Sequence, residues 1–356
     1  MNPLDGAQGL PAWLLIALVV VGVLAALALV NHALARLAER RHPPEGAFLD
    51  VDGVRLHHSE RGTGRPVVLL HGNAVTGADY NTSGVAERLV GKHRVVVFDR
   101  PGFGHSPRPR GRAWTAGEQA DLVHAALARL GVARPVLVGH SWGTLVALAF
   151  AERHPADTAG LVLLSGYYFP TPRLDALMVA PAAVPVLGDV LRHTVSPLLG
   201  WLTMPLMKRA MFAPAPVTER FRREYSTALA LRPSQLRATA ADGALMVPEA
   251  RALSARYGGL SMPVAIVAGD GDKVVGPGHA ERLRGAVPDG TLRMVPGAGH
   301  MVHHVATERV VEAIEEVVRR SAPAAATQAP EPRSAVASAA GDRRRSTSPG
   351  PATRSG

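Results

Sequence analysis

The sequence contains no cysteine, and only 4% of its residues are aromatic. The chain therefore has no disulfide scaffold, no thiolate nucleophile, no cysteine-ligated zinc and no cysteine-held iron–sulfur cluster. Four Trp, five Tyr and seven Phe are too few to give the aromatic stacking surface, interleaved with basic residues, that binds single-stranded nucleic acid. We therefore expect no nucleic-acid partner, although the formal net charge is +10.

Residues 11–30 form a long apolar run without a charged side chain. As a helix that rises about 1.5 Å per residue, this run spans about 30 Å, which is one bilayer crossing. Asp5 but no Lys or Arg precedes it, and it is longer than the roughly 7 to 15 residues of a signal-peptide core. The run predicts a transmembrane anchor, with a cleaved signal peptide or a buried helix as alternatives. Because Arg36, Arg40 and Arg41 follow it, the positive-inside rule predicts a cytoplasmic catalytic domain.

Composition divides the rest of the chain into segments. Residues 1–10 are a short stretch before the anchor, and residues 31–47 are predicted to be a linker, because His42-Pro43-Pro44-Glu45-Gly46 breaks a helix. Residues 321–356 are rich in Ala, Pro, Ser and Thr, a composition that buries too little apolar surface to offset chain entropy. They are predicted to be a disordered tail, which leaves one large domain over residues 48–320.

Short apolar runs alternate with helical patterns through this domain. Asp52-Gly53 between two short strands is a strong hairpin signal. Further strands are predicted at residues 67–70, 95–98, 136–138, 161–164 and 264–267, and helices at residues 115–130, 142–154 and 301–320. The alternation predicts an α/β fold with a mostly parallel sheet flanked by helices and with reactive loops beyond the carboxyl ends of the strands. The alternation of strands and helices is interrupted over residues 166–258, which are predicted to form an inserted helical lid.

Ser141 lies in Gly139-His140-Ser141-Trp142-Gly143, between an apolar strand and a helical run. The pattern G-x-S-x-G in that context is typical of a nucleophile elbow, a sharp strained turn flanked by glycines because side chains there would clash. Such a turn exposes the serine hydroxyl at a helix N-terminus, whose amides favour developing negative charge. Ser141 is therefore the predicted nucleophile.

A serine hydroxyl needs a base to take its proton and a carboxylate to orient that base. His300 is the candidate base, because it lies in a glycine-rich loop after a last strand predicted at residues 292–295. The carboxylate is Asp270 or Asp272, which share the loop after the strand that begins at Val264, and loop geometry alone leaves the two nearly equal. The order serine, acid, histidine is the one expected with such an elbow.

The ordered motifs resemble those of the α/β-hydrolase superfamily, in its lidded branch of esterase-, carbon–carbon hydrolase- and haloperoxidase-like proteins. The resemblance covers about residues 48–320. Its motifs are His71-Gly72-Asn73 after the third strand, Asp99 to Ser106 after the fourth, the serine elbow, the G-x-x-D loop that ends at Asp272 and the G-x-G-H loop that ends at His300. These motifs are specific for the fold and poorly specific for the substrate.

The resemblance also implies roles for particular residues. G-x-x-D places the acid last, which makes Asp272 the preferred carboxylate. The backbone N–H groups of Asn73 and Trp142 would form the oxyanion hole, where each donor typically contributes about 3 kcal/mol. Haloalkane dehalogenases and epoxide hydrolases of this fold use aspartate at the elbow, so Ser141 argues against those reactions. The D-x-x-G-x-G-x-S stretch from Asp99 is interpreted as a loop that supports the oxyanion turn, rather than as a phosphate cradle.

The predicted lid is rich in methionine and in basic residues, with eleven basic against six acidic side chains. Methionine fills irregular gaps and also lines adaptable apolar pockets. The lid methionines therefore either form the core of the lid or line a pocket for a hydrophobic substrate. The excess of basic side chains in the lid either faces an anionic bilayer or is solvated. These methionines are Met178, Met204, Met207, Met211 and Met246.

Together these patterns predict a membrane-anchored serine hydrolase that cleaves a carboxylic ester or related acyl compound through an acyl-enzyme. The expected partners are a small hydrophobic acyl substrate and the membrane. No metal or organic cofactor is expected: His303 and His304 follow His300 at helical spacing, but no carboxylate stands close to them in sequence. The alternatives on the same fold are a cofactor-free haloperoxidase or perhydrolase and a carbon–carbon bond hydrolase. A non-catalytic interaction protein would be expected to have lost triad residues.

Overall fold

The computed structural model describes residues 10–172 and 184–322. The prediction of a disordered tail falls almost wholly outside these residues, as do residues 1–9 and Met178. In the described part, eight strands form one sheet: β1 Ala47–Val51, β2 Val54–Arg61, β3 Arg65–Leu70, β4 His93–Phe98, β5 Val136–His140, β6 Gly160–Leu164, β7 Val264–Gly269 and β8 Gly290–Val295.

The strand order is β1-β2-β4-β3-β5-β6-β7-β8. The hairpin β1–β2 is antiparallel and pairs antiparallel with β4, whereas the pairs from β4 to β8 are parallel. The predicted α/β fold with a mostly parallel sheet is therefore confirmed. Since parallel strands need crossover helices, both sheet faces are covered.

Helices in chain order are α1 Ala12–Arg41, α2 Ala78–Thr82, α3 Val85–Val90, α4 Ala116–Arg129, α5 Trp142–Arg153, α6 Leu187–His193, α7 Val195–Phe212, α8 Glu219–Glu224, α9 Thr227–Ala230, α10 Pro233–Ser254, α11 Gly278–Ala286, α12 Val302–Val305 and α13 Thr307–Arg320. The single helix predicted over 301–320 is thus two, α12 and α13, which meet at Ala306. α4 and α5 pack on one face of the sheet, and α3 and α13 pack on the other.

The sheet's core consists mainly of β-branched and leucine side chains that alternate between its two faces. In β5, for example, Leu137 belongs to the cluster beneath α4 and α5, whereas Val136 and Val138 belong to the cluster beneath α3 and α13. Period-two alternation of apolar residues on both faces explains why these strands are continuous hydrophobic runs in the sequence.

The prediction of a linker over residues 31–47 is wrong for its first part, because α1 continues to Arg41. Residues 31–41 contain no Gly or Pro and are rich in Ala, Leu, Arg and Glu, which have high helix propensity. The helix ends before Pro43 and Pro44, as expected. By length and composition α1 can cross a membrane, with a mean hydropathy of 3.0 over a window that has no buried residues, and a signal sequence shares these properties.

The insertion between β6 and β7 contains α6 to α10, all helical as predicted. Met204 packs with Ala230 and Leu231 in a small cluster within the insertion, and Met246 joins the main core. Met207, by contrast, is 44% exposed. The lid methionines are therefore divided between core and surface positions.

Candidate active site

Ser141 lies on a strained turn between β5 and α5. Its backbone has φ 51° and ψ −118°, in a region that non-glycine residues rarely adopt. A Cβ on Gly139 would lie 2.6 Å from the carbonyl oxygen of Gly143, and one on Gly143 would lie 2.6 Å from that of His71. Both glycines are thus required by close backbone approach. The turn also carries Ser141 to the carboxyl end of the parallel strands.

Three predicted side chains meet at this turn. Ser141 Oγ lies 2.9 Å from His300 Nε2, and His300 Nδ1 lies 2.9 Å from Asp272 Oδ2. A carboxylate can only accept here, so Nδ1 carries the proton and Nε2 is free to accept the serine proton. Ser141 is 8% exposed and the other two are each 4% exposed, so the hydrogen bonds are shielded from water.

The two candidate aspartates have different partners. Asp270 accepts from the backbone N–H of Gly297 and closes the loop, whereas Asp272 is the one that reaches His300. Burial alone would raise the pKa of Asp272, but the neighbouring His300 and the N–H groups of Val274 and Val275 outweigh it and lower that pKa. Asp272 is therefore held ionised beside the imidazole.

Arg100 holds the turn at His71-Gly72-Asn73, which runs beside the elbow. Its guanidinium donates to the carbonyl oxygens of His71 at 2.8 Å and Gly72 at 2.9 Å, and its backbone N–H donates to His71 Nε2. Since Nε2 accepts, His71 Nδ1 carries the proton and donates to Gly72 O. A Cβ on Gly72 would lie 3.1 Å from the Cβ of Ser141, so the turn adjoins the serine.

The environment of His71 opposes a positive charge. Burial and the adjacent Arg100 lower the pKa of His71 to about 4, although Asp99 acts in the opposite direction. His71 is therefore neutral near pH 7 and keeps the acceptor that Arg100 N–H requires.

The lid helix α10 is bonded directly to Asn73 and Trp142. Asp242 accepts from Arg100 and Arg108, at 2.7 Å each, and its carboxylate is fully buried. The carbonyl oxygen of Asp242 also accepts from the indole N–H of Trp142 at 2.8 Å. Asn73 Nδ2 donates to Thr239 O. Asn73 and Trp142, the two residues of the predicted oxyanion hole, are therefore both held by α10.

Sequence reasoning missed Asp242, because an acidic residue in a helix of weak periodicity gives no signal of burial. Its partner Arg100 lies in the D-x-x-G-x-G-x-S stretch, whose Asp99 accepts from the N–H groups of Gly77 and His105 and from His57 Nδ1. Gly104 lies against the Asp99 carboxylate, leaving no room for a Cβ. The hydrogen bonds of Arg100 join this stretch to the turn at His71-Gly72-Asn73, in agreement with its interpretation as a supporting loop.

The role of His140, beside Ser141, was also missed. Its Nε2 donates to the carbonyl oxygen of His300 at 3.1 Å, which ties the elbow to the histidine loop. Burial and the nearby His303 and His300 lower the pKa of His140 well below its usual value, so the ring is neutral. Within the described residues, the buried Nδ1 atoms of His140 and His303 have no hydrogen-bond partner.

Asp79 supplies the carboxylate that the sequence did not place near His303 and His304. It accepts from both Nε2 atoms, at 2.7 and 2.8 Å, and lies on α2, more than two hundred residues away in sequence. Asp79, His140 and His303 each offer a potential metal-ligand atom, and these atoms lie within 4.8 Å of one another. These described residues have the geometry to hold a cation, and both carboxylate oxygens of Asp79 already accept hydrogen bonds from the histidines.

The end of α7 covers the histidine loop. The N–H of Met301 donates to Met211 O at 3.2 Å, and Gly299 lies against the carbonyl oxygens of Phe212 and Ala213. Pro214 lies against Gly271 in the aspartate loop in the same way. The lid therefore rests on the loops that carry His300 and Asp272.

A cavity of about 480 Å³ lies to one side of this site. Among its described lining residues are Ala74, which follows Asn73, and Asp79, Asp99 and Tyr225. Ser141, Asp272 and His300 are not among them. The cavity is therefore separate from the meeting point of these three side chains.

A mostly parallel sheet that carries a serine on a strained strand-to-helix turn, beside a histidine and an aspartate, defines the class of α/β hydrolases. A family model described as the alpha/beta hydrolase fold matches residues 65–307. The chain belongs to this family.

Two relatives illustrate the range of reactions in the family. Haloalkane dehalogenase 2 of Mycobacterium tuberculosis is 28% identical over 285 residues, which are 77% of this chain and 95% of that protein. A 2-hydroxymuconate semialdehyde hydrolase of a Pseudomonas species is 34% identical over 145 residues, which are 39% of this chain and 51% of that protein.

Solved structures share the fold. An esterase from Thermogutta terrifontis has a TM-score of 0.60 and 24% identity, and the match covers 78% of this chain and 99% of that one. A structure described as a membrane phospholipase A and bacterial virulence factor has a TM-score of 0.61 and 20% identity, with 87% of this chain and 97% of that one covered. At these identities the likeness shows the architecture alone.

Proposed function

We propose that this α/β hydrolase is a membrane-anchored serine hydrolase that cleaves a carboxylic ester or related acyl substrate. The observation that carries the proposal is the continuous hydrogen-bonded series from Ser141 Oγ through His300 to Asp272, at 2.9 Å for each step. A serine so placed is activated by proton transfer to the imidazole.

The mechanism follows from the protonation states. Ser141 Oγ attacks the acyl carbon while its proton passes to His300 Nε2, and Asp272 stabilises the imidazolium that forms. The proton then goes to the leaving group, which departs and leaves an acyl-enzyme. Water attacks the acyl-enzyme by the same route, with His300 again as base, and regenerates the serine.

The oxyanion formed in each step needs N–H donors that are already oriented. Trp142 N–H is at the first turn of α5, where helix amides have no intrahelical acceptor. The backbone N–H of Asn73 directly follows His71 and Gly72, whose carbonyl oxygens accept hydrogen bonds from Arg100. We assign these two N–H groups to the oxyanion hole.

Ser141 at the elbow separates this proposal from dehalogenation, for which the fold resemblance implies an aspartate. The 2-hydroxymuconate semialdehyde hydrolase relative supports carbon–carbon bond hydrolysis as a second candidate, because that activity is compatible with a serine elbow. The two are distinguished by substrate: ester hydrolysis predicts turnover of p-nitrophenyl esters, and carbon–carbon hydrolysis predicts turnover of a vinylogous diketone substrate.

A panel of p-nitrophenyl esters of increasing acyl length tests the reaction. We expect turnover by the wild type and at least about a 1,000-fold loss in Ser141→Ala. If all chain lengths gave wild-type rates equal to those of Ser141→Ala, ester hydrolysis would be excluded.

We further propose that α1 anchors the enzyme, with the hydrolase domain in the cytoplasm as the basic residues after the span predict. The full-length protein is expected to stay with membranes during alkaline carbonate extraction. Because the chain has no cysteine, Ala128→Cys on the exposed side of α4 provides a unique thiol. An impermeant maleimide should label this thiol only after the cells are opened; labelling of intact cells would contradict the cytoplasmic side.

A further inference from the structure

The lid helix α7 presents large apolar side chains on its outer face. Three of them, Leu198, Leu202 and Leu206, are spaced four residues apart and therefore share one side of the helix; they are 50%, 71% and 71% exposed. Met204, on the opposite side, is buried against Ala230. The helix is therefore packed on one side only. The α7 apolar face is defined as Leu198, Leu199, Trp201, Leu202, Leu206 and Met207.

One end of α7 is fixed to α1. Asn31 Nδ2 donates to the carbonyl oxygens of His193 and Thr194, at 2.9 and 2.7 Å, directly before α7 begins. Asn31 is the first residue after the apolar run 11–30. The hydrogen bonds therefore place the start of α7 at the level where the apolar span of α1 ends.

A second contact orients the lid along α1. Arg232, at the start of α10, pairs with Glu39 at 3.1 Å. Glu39 is eight residues beyond Asn31, which is about 12 Å further along the helix. Arg232 at the start of α10 thus contacts α1 on the side of the hydrolase domain, and the junction of α6 and α7 contacts α1 where the apolar span ends.

The other end of α7 reaches the candidate active site, where Met211 O accepts from Met301 N–H next to His300. A single helix therefore connects the boundary of the apolar span with the histidine loop. Contiguous exposed apolar faces of this kind mark sites of interaction with protein or membrane.

We propose that the α7 apolar face is immersed in the bilayer interface that holds α1, with lipid acyl chains as its occupant. The proposal rests on the anchor in the proposed function and adds a second membrane contact. The basic excess of the lid suits an anionic lipid surface.

Trp201 provides a direct probe of this surface. The full chain with Trp13→Phe is reconstituted into nanodiscs at one copy per disc, which leaves Trp201 and the buried Trp114 and Trp142. We expect quenching of Trp201 fluorescence by lipids brominated near the top of their acyl chains, and little quenching by aqueous acrylamide. Trp201→Phe identifies the Trp201 signal by its loss.

A charge on the α7 apolar face should reverse this pattern. Leu206→Asp is expected to decrease quenching by brominated lipid and to increase quenching by acrylamide, whereas Ala128→Asp, on an exposed side of α4, should change neither. Quenching by acrylamide alone would overturn the proposal, and so would shielding from both quenchers, which indicates a protein partner. The readout needs no turnover, and co-purification with discs reports the anchor separately, so failure here is distinct from failure of the proposed function.

Discussion

The surroundings of Ser141 and the α7 apolar face are built in opposite ways. Near Ser141 the polar side chains are buried and hydrogen-bonded, and two lid residues contact them: Thr239 accepts from Asn73, and Asp242 accepts from Arg100. On α7 the large side chains point outward, and only one side of the helix is packed. The difference teaches that the lid is joined to the catalytic machinery by a rigid polar contact at α10 and presents an adaptable apolar surface at α7.

The largest effect is a loss of kcat, which we expect when Asp272, the carboxylate hydrogen-bonded to His300, is replaced. Asp272→Asn would leave His300 with the wrong tautomer to accept the serine proton, so kcat should fall by about 10³- to 10⁴-fold with little change in KM. Asp270→Asn is the matched control, because among the described residues the carboxylate of Asp270 accepts from the backbone N–H of Gly297 and not from His300. Steady-state kinetics on a p-nitrophenyl ester would contradict this assignment if the two variants lost activity equally.

The next largest effect is on stability, through the buried ion pairs that Asp242 of the lid forms with Arg100 and Arg108. Asp242→Ala leaves the buried Arg100 and Arg108 without their counter-charge, and we expect a loss of about 3–5 kcal/mol in the free energy of unfolding. Glu249→Ala, on the same helix, removes one hydrogen bond to Ala116 N–H and should cost about 1 kcal/mol. Denaturant unfolding measures both losses. Equal losses would show that the ion pairs of Asp242 contribute no more to stability than a single hydrogen bond.

A smaller effect is the dependence of stability on pH, which we expect because the fold buries histidines in their neutral form. The pKa of His71 is lowered to about 4, whereas the unfolded chain takes up this proton near pH 6.5. Between these values the unfolded state binds the extra proton, so stability should fall as pH falls, by about 1.4 kcal/mol per pH unit. His140 and His303 act in the same direction.

His71→Gln tests that pH dependence, because glutamine does not titrate. Unfolding curves between pH 7 and pH 4.5 should be steeper in pH for the wild type than for the variant. Parallel pH dependence of the two proteins would show that His71 titrates normally in the folded state.

The smallest effect is expected at the α7 apolar face. Leu202→Ser should change the unfolding free energy in detergent by no more than about 0.5 kcal/mol, because the side chain is exposed. Leu163→Ala, in the fully buried β6, should cost about 2–5 kcal/mol. A large loss in Leu202→Ser would mean that this face packs against protein, which would remove the contrast between the two regions.

The parts that could be predicted from sequence are those whose geometry is local. The strand, elbow and helix around Ser141 require glycines at fixed positions, and each predicted parallel strand is a short apolar run, so the sheet and its loops were predictable. The series Ser141, Asp272 and His300 followed from motif order together with the fold resemblance. Its members do meet in the structure.

The remaining features depend on contacts between distant segments. Nothing local to Asp79 or Asp242 shows that one lies between two histidines and the other between two arginines. The continuation of α1 through residues 31–41 was not predicted, because Pro43 and Pro44 show that the helix must stop before them but not at which residue it stops. The contact of Asn31 with the lid likewise joins residues more than 160 positions apart.

Whether Ser141 is an activated nucleophile is tested by a fluorophosphonate probe followed by peptide mass mapping of the full-length protein. We expect covalent labelling of Ser141 in the wild type, strongly reduced labelling in His300→Ala, and none at this site in Ser141→Ala. An unlabelled wild type, or a Ser141→Ala variant labelled as well as the wild type, would contradict it.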